Sequence, residues 1–308
     1  MVTDISVVIP AYQSQDSLPI LISRLNAVLS SAGRSYEIII IDDCSTDNTW
    51  EVLKAQKMLY AQLKIARLLR NSGQHNALLC GFGMAKGEIV VTMDDDLQNL
   101  PEDVPKLLEG INEGYDLVIG SYDVKKHNAI RNFGGQLIDN VQRHIFDLPH
   151  NFQLTSFRAI RKAVVDNVVN MGGVYPYITS MLLSHSSKYK NVQVSHQPRQ
   201  FGTSNYNVKR SFVLIFNLLL NYSSYPLYFV MFLCLGALGF SVFLGAYVFW
   251  SVMVDGGGVQ GWASTMVAIS FFNALTLVAL AIQGLYLSRM TQQISRSKVG
   301  FSIGEVHE

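Results

Sequence analysis

Short apolar runs alternate with stretches of helical periodicity through the first 120 residues. Runs rich in β-branched residues predict buried strands at Ile5–Pro10, Tyr36–Ile41, Leu63–Leu69, Glu88–Met93 and Tyr115–Gly120. The stretches between them predict helices over Ser17–Ala32, Trp50–Tyr60 and Gly73–Lys86, with a fourth helix beginning at Pro101. Alternating strands and helices form mostly parallel sheets covered on both faces, so the pattern predicts an α/β domain.

Aspartates follow two of these strands, at the edge of the sheet where such folds bind ligands. Asp42 and Asp43 end the second strand, and Asp94, Asp95 and Asp96 end the fourth. Carboxylates packed this closely need a neutralising cation, and their oxygens suit Mg²⁺ or Mn²⁺. Continued strand alternation puts Asp94 and Asp96 on one side and Asp95 on the other. We therefore predict a metal site at Asp94 and Asp96 that holds a phosphorylated donor; the alternative is a solvated acidic turn.

The C-terminal third contains two long apolar segments. No charged residue occurs from Pro226 to Val254, and a second uncharged run ends at Ser288, so two transmembrane helices are predicted, at about 226–254 and 262–288. Basic residues lie outside the pair and none lies in the connecting loop, which predicts that the N-terminal domain and both termini are cytoplasmic. Residues Ser211–Tyr225 predict an interfacial amphipathic helix or, equally, a helix docked into the domain.

Composition agrees with a membrane protein and excludes several other classes. Charged residues make up 15% and hydrophobic residues 49% of the chain. The net charge of +1 gives no reason to expect a nucleic-acid partner. The three cysteines show no disulfide or metal-type spacing, and no signal peptide is expected. The sequence contains neither a glycine-rich P-loop nor a Gly-x-Gly-x-x-Gly fingerprint. These absences exclude a P-loop NTPase and a classical dinucleotide-binding enzyme.

Four motifs together resemble a known family. In order they are Val8-Ile9-Pro10-Ala11-Tyr12, Ile41-Asp42-Asp43-Cys44-Ser45-Thr46-Asp47, Asn71-Ser72-Gly73-Gln74-His75-Asn76-Ala77 and Asp94-Asp95-Asp96-Leu97-Gln98. This order resembles the family 2 inverting glycosyltransferases with the GT-A fold. The later Ser156-Phe157-Arg158, the Arg199–Tyr206 segment and the two apolar spans narrow the resemblance to polyprenyl-phosphate glycosyltransferases. It implies a cytoplasmic GT-A domain at 1–210, a juxtamembrane helix at 211–225, two spans within 226–290 and a cytoplasmic tail at 291–308.

The resemblance also implies roles for individual residues. The implied nucleotide-binding residues are Pro10, Ala11, Tyr12, Asp42, Asp43 and Asp95. Asp94 and Asp96 would hold the metal and the diphosphate, Gln98 would lie beside the sugar or diphosphate, and Arg131 and Arg199 would face the donor diphosphate or the acceptor phosphate.

The chain departs from the family pattern in several places. Gln13 and Ser14 stand where an Asn-Glu pair is usual, and Cys44 replaces a common glycine. Asn205 stands where lysine is frequent. Where many members carry an aspartate, six or seven residues before Arg158, this chain has Phe152 and Asn151, so a carboxylate base at this place is in doubt.

The implied reaction is inverting transfer of a sugar from a nucleotide-sugar, with a UDP-hexose favoured, to a polyprenyl phosphate, with undecaprenyl phosphate favoured. The product would be a lipid monophosphate sugar for cell-envelope glycan modification, made at the inner membrane by a dimer or tetramer. The alternatives are an inactive nucleotide-binding membrane scaffold and a processive polysaccharide synthase. A synthase usually carries more spans and a Gln-x-x-Arg-Trp segment, which Gln197-Pro198-Arg199-Gln200 does not supply.

Overall fold

The computed structural model of the chain describes residues 3–122, 143, 148–149, 152–173, 176–198, 225–255, 261–295 and 299–308. The chain divides into two compact units. The first comprises Met1–Asn207 with Arg296–Glu308, and the second comprises Val208–Ser295.

The first unit contains a mixed sheet with helices on both faces. Its strands are β1 (Ile5–Ala11), β2 (Tyr36–Asp42), β3 (Leu63–Leu68), β4 (Ile89–Thr92), β5 (Leu117–Ser121), β6 (Arg158–Arg161), β7 (Tyr189–Gln193) and β8 (Ile303–His307). Its helices are α1 (Leu18–Ser31), α2 (Thr49–Leu59), α3 (Gln74–Met84), α4 (Val104–Asn112), α5 (Lys162–Met171) and α6 (Ile178–His185), with a 3₁₀ turn at Pro101–Asp103. The strand order is β7-β5-β6-β4-β1-β2-β3-β8 among the described residues.

The central strands are parallel, as the alternation of strands and helices predicted. β1 pairs in parallel with both β2 and β4, and β2 pairs in parallel with β3. Every residue of β1 is buried because helices cover both faces of the sheet. Gly81 lets α3 approach this sheet closely, since a Cβ there would collide with the Val8 side chain. This packing brings the start of α3 to the carboxyl edge, beside the ends of β1, β2 and β4.

The sequence pattern did not predict β6, α5, α6, β7 or β8. β6 is only four residues long, begins and ends with arginine, and pairs antiparallel with both β4 and β5. β8 lies in the predicted C-terminal tail, yet it pairs antiparallel with β3 and forms one edge of the sheet. The predicted interfacial helix at Ser211–Tyr225 lies outside the described residues, except for Tyr225.

The second unit contains two long helices, α7 (Tyr225–Asp255) and α8 (Trp262–Ser295). Their 31 and 34 residues correspond to roughly 45 to 50 Å, which exceeds the ~30 Å hydrocarbon core of a bilayer. Leu227–Tyr247 and Phe271–Ser288 have mean hydropathies of 2.3 and 1.6, and only 6% of each is buried. Helices that expose this much apolar surface do not fit the core of a soluble protein, and they fit a transmembrane hairpin.

Candidate active site

The loops that follow β1, β2 and β4 meet at the carboxyl edge of the sheet around a cavity of about 190 Å³. The cavity is lined by Pro10, Ala11, Tyr12, Asp43, Gln74, Asp94, Asp95 and Asp96. Parallel strands end at the same edge, which is why short loops from distant parts of the sequence converge here. The lining is strongly acidic, so this cavity favours a cation or a ligand that carries one.

Asp94 is held by two side chains that come from different elements. Gln74, the first residue of α3, donates its Nε2–H to Asp94 Oδ1 at 2.6 Å, and Ser156 Oγ donates to Asp94 Oδ2 at 2.5 Å. Burial and the nearby Asp96 charge raise the pKa of Asp94, while Ser156 and the buried Arg158 oppose that rise. Arg158 is 3% exposed and directs its guanidinium to Thr179 Oγ1 at 3.3 Å.

Asp95 fixes the loop after β1. Its Oδ2 accepts hydrogen bonds from the Tyr12 backbone N–H at 3.1 Å and from the Ser14 hydroxyl. Burial raises the pKa of Asp95 to about 6, against the effect of these hydrogen bonds. The Gln13 backbone N–H donates to Ser45 Oγ at 2.9 Å, which ties the same loop to the one after β2. The middle aspartate therefore organises backbone around the cavity.

Asp96 and Gln98 belong to a tight turn after β4. The Gln98 N–H donates to Asp96 Oδ1 at 3.1 Å, and the Gln98 side chain reaches the Gln197 carbonyl at 3.5 Å. Leu97 between them is fully buried and has a φ of 61°. Gln98 does not line the cavity, and its predicted position beside the sugar or diphosphate stays a prediction.

The donor chemistry of this edge fits a divalent cation. Asp94 and Asp96 supply hard carboxylate oxygens on the wall of an open cavity, and Mg²⁺ typically uses one or two carboxylates together with substrate phosphates. A cation would also relieve the repulsion by which Asp96 raises the pKa of Asp94. Within the described ranges no three Asp, Glu, His or Cys side chains are arranged so that together they could hold a metal ion, so the remaining ligands would have to come from elsewhere.

Asp42 and Asp43 have different environments. Asp43 lines the cavity and accepts the backbone N–H groups of Ser72 and Gly73 at 2.7 and 2.8 Å, which positions the start of α3. Burial raises the pKa of Asp43. Asp42 is fully buried and does not line the cavity; its Oδ1 accepts the Ser45 N–H at 3.0 Å, and Arg67 Nε lies 3.2 Å from its Oδ2. That ion pair does not have hydrogen-bond geometry, so Oδ2 has no hydrogen-bond partner among the described residues.

Backbone strain is concentrated at this edge. Within the described ranges the non-glycine residues with positive φ are Gln13 at 56°, Cys44 at 59° and Leu97 at 61°. They lie in the loops after β1, β2 and β4 respectively. Left-handed backbone is unfavourable for residues with a Cβ and persists where surrounding contacts impose it. Glycine at residue 44 would adopt this backbone conformation without the strain that the Cys44 Cβ causes.

The structure thus gathers Pro10, Ala11, Tyr12, Asp43, Asp94, Asp95 and Asp96 around one cavity, whereas Asp42 and Gln98 do not line it. Arg131 and Arg199 lie outside the described residues. Phe152, at one of the two positions of the aspartate that many family members carry, is an apolar core residue whose ring meets Tyr189 edge-on at 5.1 Å.

Sequence reasoning assigned no role to Gln74, Ser156 or Arg158, although each belongs to a motif that the chain shares with the family. One feature of the sequence could have indicated a role for Gln74. It begins a helix that follows a strand, and such positions lie at the carboxyl edge of the sheet, where ligands bind.

The amino-acid sequence is similar to those of known proteins. The sequence profile described as "Glycosyl transferase family 2" matches residues 6–169. The chain is 31% identical to an undecaprenyl-phosphate 4-deoxy-4-formamido-L-arabinose transferase of Pseudomonas paraeruginosa, over 98% of this chain and 90% of that protein. It is 29% identical to the Shewanella sediminis protein of the same name, over 94% of this chain and 88% of that protein.

A solved structure supports the fold. Glucosyl-3-phosphoglycerate synthase from Mycobacterium tuberculosis, in complex with Mn²⁺, uridine diphosphate and phosphoglyceric acid, matches with a TM-score of 0.54 at 18% identity, over 71% of this chain and 76% of that one. The predicted α/β domain of GT-A type is confirmed. At this identity the likeness concerns the fold alone.

Proposed function

Because this chain belongs to glycosyl transferase family 2, we propose that it transfers a sugar from a nucleotide-sugar to a polyprenyl phosphate. The observation that carries the proposal is the cavity at the carboxyl edge, where Asp94 and Asp96 stand beside the loops after β1 and β2. The acceptor is inferred from relatives that match nearly the whole chain, including both apolar helices, and that are named for undecaprenyl phosphate. Undecaprenyl phosphate is therefore the proposed acceptor, and a UDP-sugar, with a hexose favoured, is the proposed donor.

Asp94 and Asp96 would hold Mg²⁺ or Mn²⁺. When bound, the cation supplies positive charge to the diphosphate leaving group. Gln74 and Ser156 keep the Asp94 carboxylate in one orientation, so little reorganisation is required when the donor binds. Asp43 and Asp95 fix the loops that would contact the nucleoside, with Pro10, Ala11 and Tyr12 forming one wall.

The reaction would be a direct displacement with inversion. A phosphate oxygen of the acceptor attacks the anomeric carbon, the carbon–oxygen bond to the nucleoside diphosphate breaks, and its electron pair leaves on the diphosphate. A phosphate monoester has a second pKa of about 6, so the acceptor is already largely dianionic at neutral pH. The apolar environment of Phe152 is compatible with a reaction that needs no carboxylate base at that position.

Arg131 and Arg199 are proposed to contact the two phosphate groups, where they would reduce the repulsion between acceptor and donor. The hairpin of α7 and α8 is proposed to span the inner membrane with the catalytic unit and both termini in the cytoplasm. Confinement of the lipid to the same membrane would raise its effective concentration at the site. A homo-oligomer stays a prediction, which mass measurement of the detergent-solubilised full chain would test.

The test is a transfer assay with the full chain in detergent, undecaprenyl phosphate, Mg²⁺ or Mn²⁺, and a panel of UDP- and GDP-sugars. The panel includes UDP-hexoses and UDP-4-deoxy-4-formamido-L-arabinose, and products are detected by mass spectrometry. We expect one donor to give a lipid monophosphate sugar, with activity lost on EDTA treatment and in Asp96→Asn.

The matched control is Asp166→Asn, because Asp166 is an exposed aspartate of α5 that pairs only with Lys162 among the described contacts. A near-wild-type rate in Asp96→Asn would contradict the metal assignment. UDP binding without product from any donor would favour the non-enzymatic scaffold.

A further inference from the structure

The C-terminal strand β8 forms the edge of the sheet beside β3. Through the contacts described below it is connected to the loops after β1 and β2, which are proposed to bind the nucleotide. It pairs antiparallel with β3, with Glu305 opposite Arg67, and the Leu69 N–H donates to the Ser302 carbonyl at 2.9 Å. The chain leaves the first unit after Asn207 and rejoins it at Arg296. A segment expected to be a tail is therefore part of the sheet that holds the candidate active site.

Besides its pairing with β3, β8 contacts Trp50 of α2. Its Nε1–H donates to Glu305 Oε2 at 3.2 Å, and its ring lies 5.8 Å from the His307 ring. Trp50 is 3% exposed, so its indole N–H depends on Glu305 for the hydrogen bond that a buried donor requires. His307 and Trp50 hydrogen-bond to Glu305 and lower the pKa of its carboxyl group, which keeps it ionised as an acceptor.

On its other side Trp50 meets the arginine that holds Asp42. The Arg67 guanidinium lies 5.9 Å from the Trp50 ring centroid, within the range of a cation–π contact. Arg67 Nε is 3.2 Å from Asp42 Oδ2, and Arg67 Nη2 donates to the Ser45 carbonyl at 2.9 Å. Ser45 in turn accepts the Gln13 N–H. An unbroken series of contacts thus runs from Glu305 through Trp50 and Arg67 to the loops after β1 and β2.

We propose that Glu305 and His307 are positioning residues of the donor site, which act through Trp50 to place Arg67, Asp42 and Ser45 for nucleotide binding. This inference rests on the proposed function, because it assumes a nucleotide donor in the cavity. The series reaches the loops after β1 and β2, whereas the hydrogen bonds to the Asp94 carboxylate come from Gln74 and Ser156, outside the series. Loss of the β8 contacts should therefore weaken nucleotide binding and raise the KM for the donor while kcat is retained.

The experiment measures the affinity of the full-length protein in detergent for UDP with saturating Mn²⁺ by calorimetry. Glu305→Leu combined with His307→Ala removes both contacts with Trp50, and we expect UDP to bind about fivefold more weakly, the loss typical of one hydrogen bond. Glu305→Gln keeps an oxygen acceptor for the indole N–H, so this variant should bind UDP with near-wild-type affinity. Val306→Thr is the matched control, because it changes the same strand at an alternate position while preserving volume and β-branching.

The outcomes separate the possible failures. UDP affinity unchanged in the double variant would overturn the inference, as would an equal loss in Val306→Thr, since the strand would then act without the Trp50 contact. If the double variant does not fold, Glu305→Leu alone decides, because residue 305 is exposed and its replacement leaves the strand in place. If the wild-type protein does not bind UDP, the proposed donor is wrong, and the same comparison is made with GDP.

Discussion

A half-buried histidine next to the cavity residue Gln74 should lower the free energy of unfolding as the pH falls from 6.5 to 4, in the opposite sense to Asp95, whose pKa is raised. His75 follows Gln74 at the start of α3, and its ring meets Tyr177 edge-on at 5.0 Å. Its Nδ1 is buried and has no hydrogen-bond partner among the described residues. Burial, reinforced by the Arg158 charge, lowers the pKa of His75 to about 4 from the usual 6.5. The folded protein therefore keeps this ring neutral where the unfolded chain binds a proton.

The sign and size follow from proton linkage. Because the folded pKa is depressed, the stabilisation is complete above pH 6.5 and is lost as the pH falls toward 4. A pKa difference from 6.5 to about 4 corresponds to ~3 kcal/mol in total, of which ~2 kcal/mol is lost on going from pH 7.5 to pH 5. Replacing His75 with Gln removes the titrating group and should remove that part of the pH dependence.

The assay is urea unfolding of the full chain in detergent at pH 7.5 and pH 5, with the folded fraction measured by pulse proteolysis. The wild-type free energy of unfolding should fall by ~2 kcal/mol more than that of His75→Gln. Carboxyl groups that also titrate in this range are common to both proteins and cancel in the comparison. Parallel losses in the two proteins would refute the linkage to His75.

Two further predictions concern the loops around the cavity. Asp95→Asn should retain activity within about tenfold of wild type, because an amide oxygen can still accept the Tyr12 N–H, whereas Asp96→Asn should be inactive; equal losses in the transfer assay would show that Asp95 does more than hold the loop. Cys44→Gly should leave stability unchanged or raise it by up to ~1 kcal/mol, since glycine adopts a φ of 59° without strain. Cys44→Val should lower stability in the same urea measurement, and a Val variant as stable as the Gly variant would contradict the strain.

Local patterns in the sequence were sufficient for the parallel half of the sheet. Strands such as β1 and β2 are buried on both faces, so they appear as continuous apolar runs that can be recognised without knowledge of their partners. Because parallel strands end together, the order of strands and helices along the chain was enough to place the aspartates after β2 and β4 at one edge.

Strands β6 and β8 escaped prediction because they are short and pair antiparallel with partners that are distant in the sequence. Four residues with arginine at each end do not suggest β6, and nothing near Ile303–His307 indicates that this segment pairs with β3. The hydrogen bond from Trp50 to Glu305 joins residues 255 positions apart, a separation at which no sequence periodicity carries information.

The sequence by itself determined which residues form the acidic edge, because the end of a strand is a local property of the chain. Only the tertiary structure decided what each carboxylate does. Asp94 contacts Gln74 and Ser156, Asp95 holds a backbone loop, and Asp42 is buried against Arg67. The physical reason is that an aspartate's role depends on its burial and on its hydrogen-bond donors, and those donors come from elements that only folding brings together.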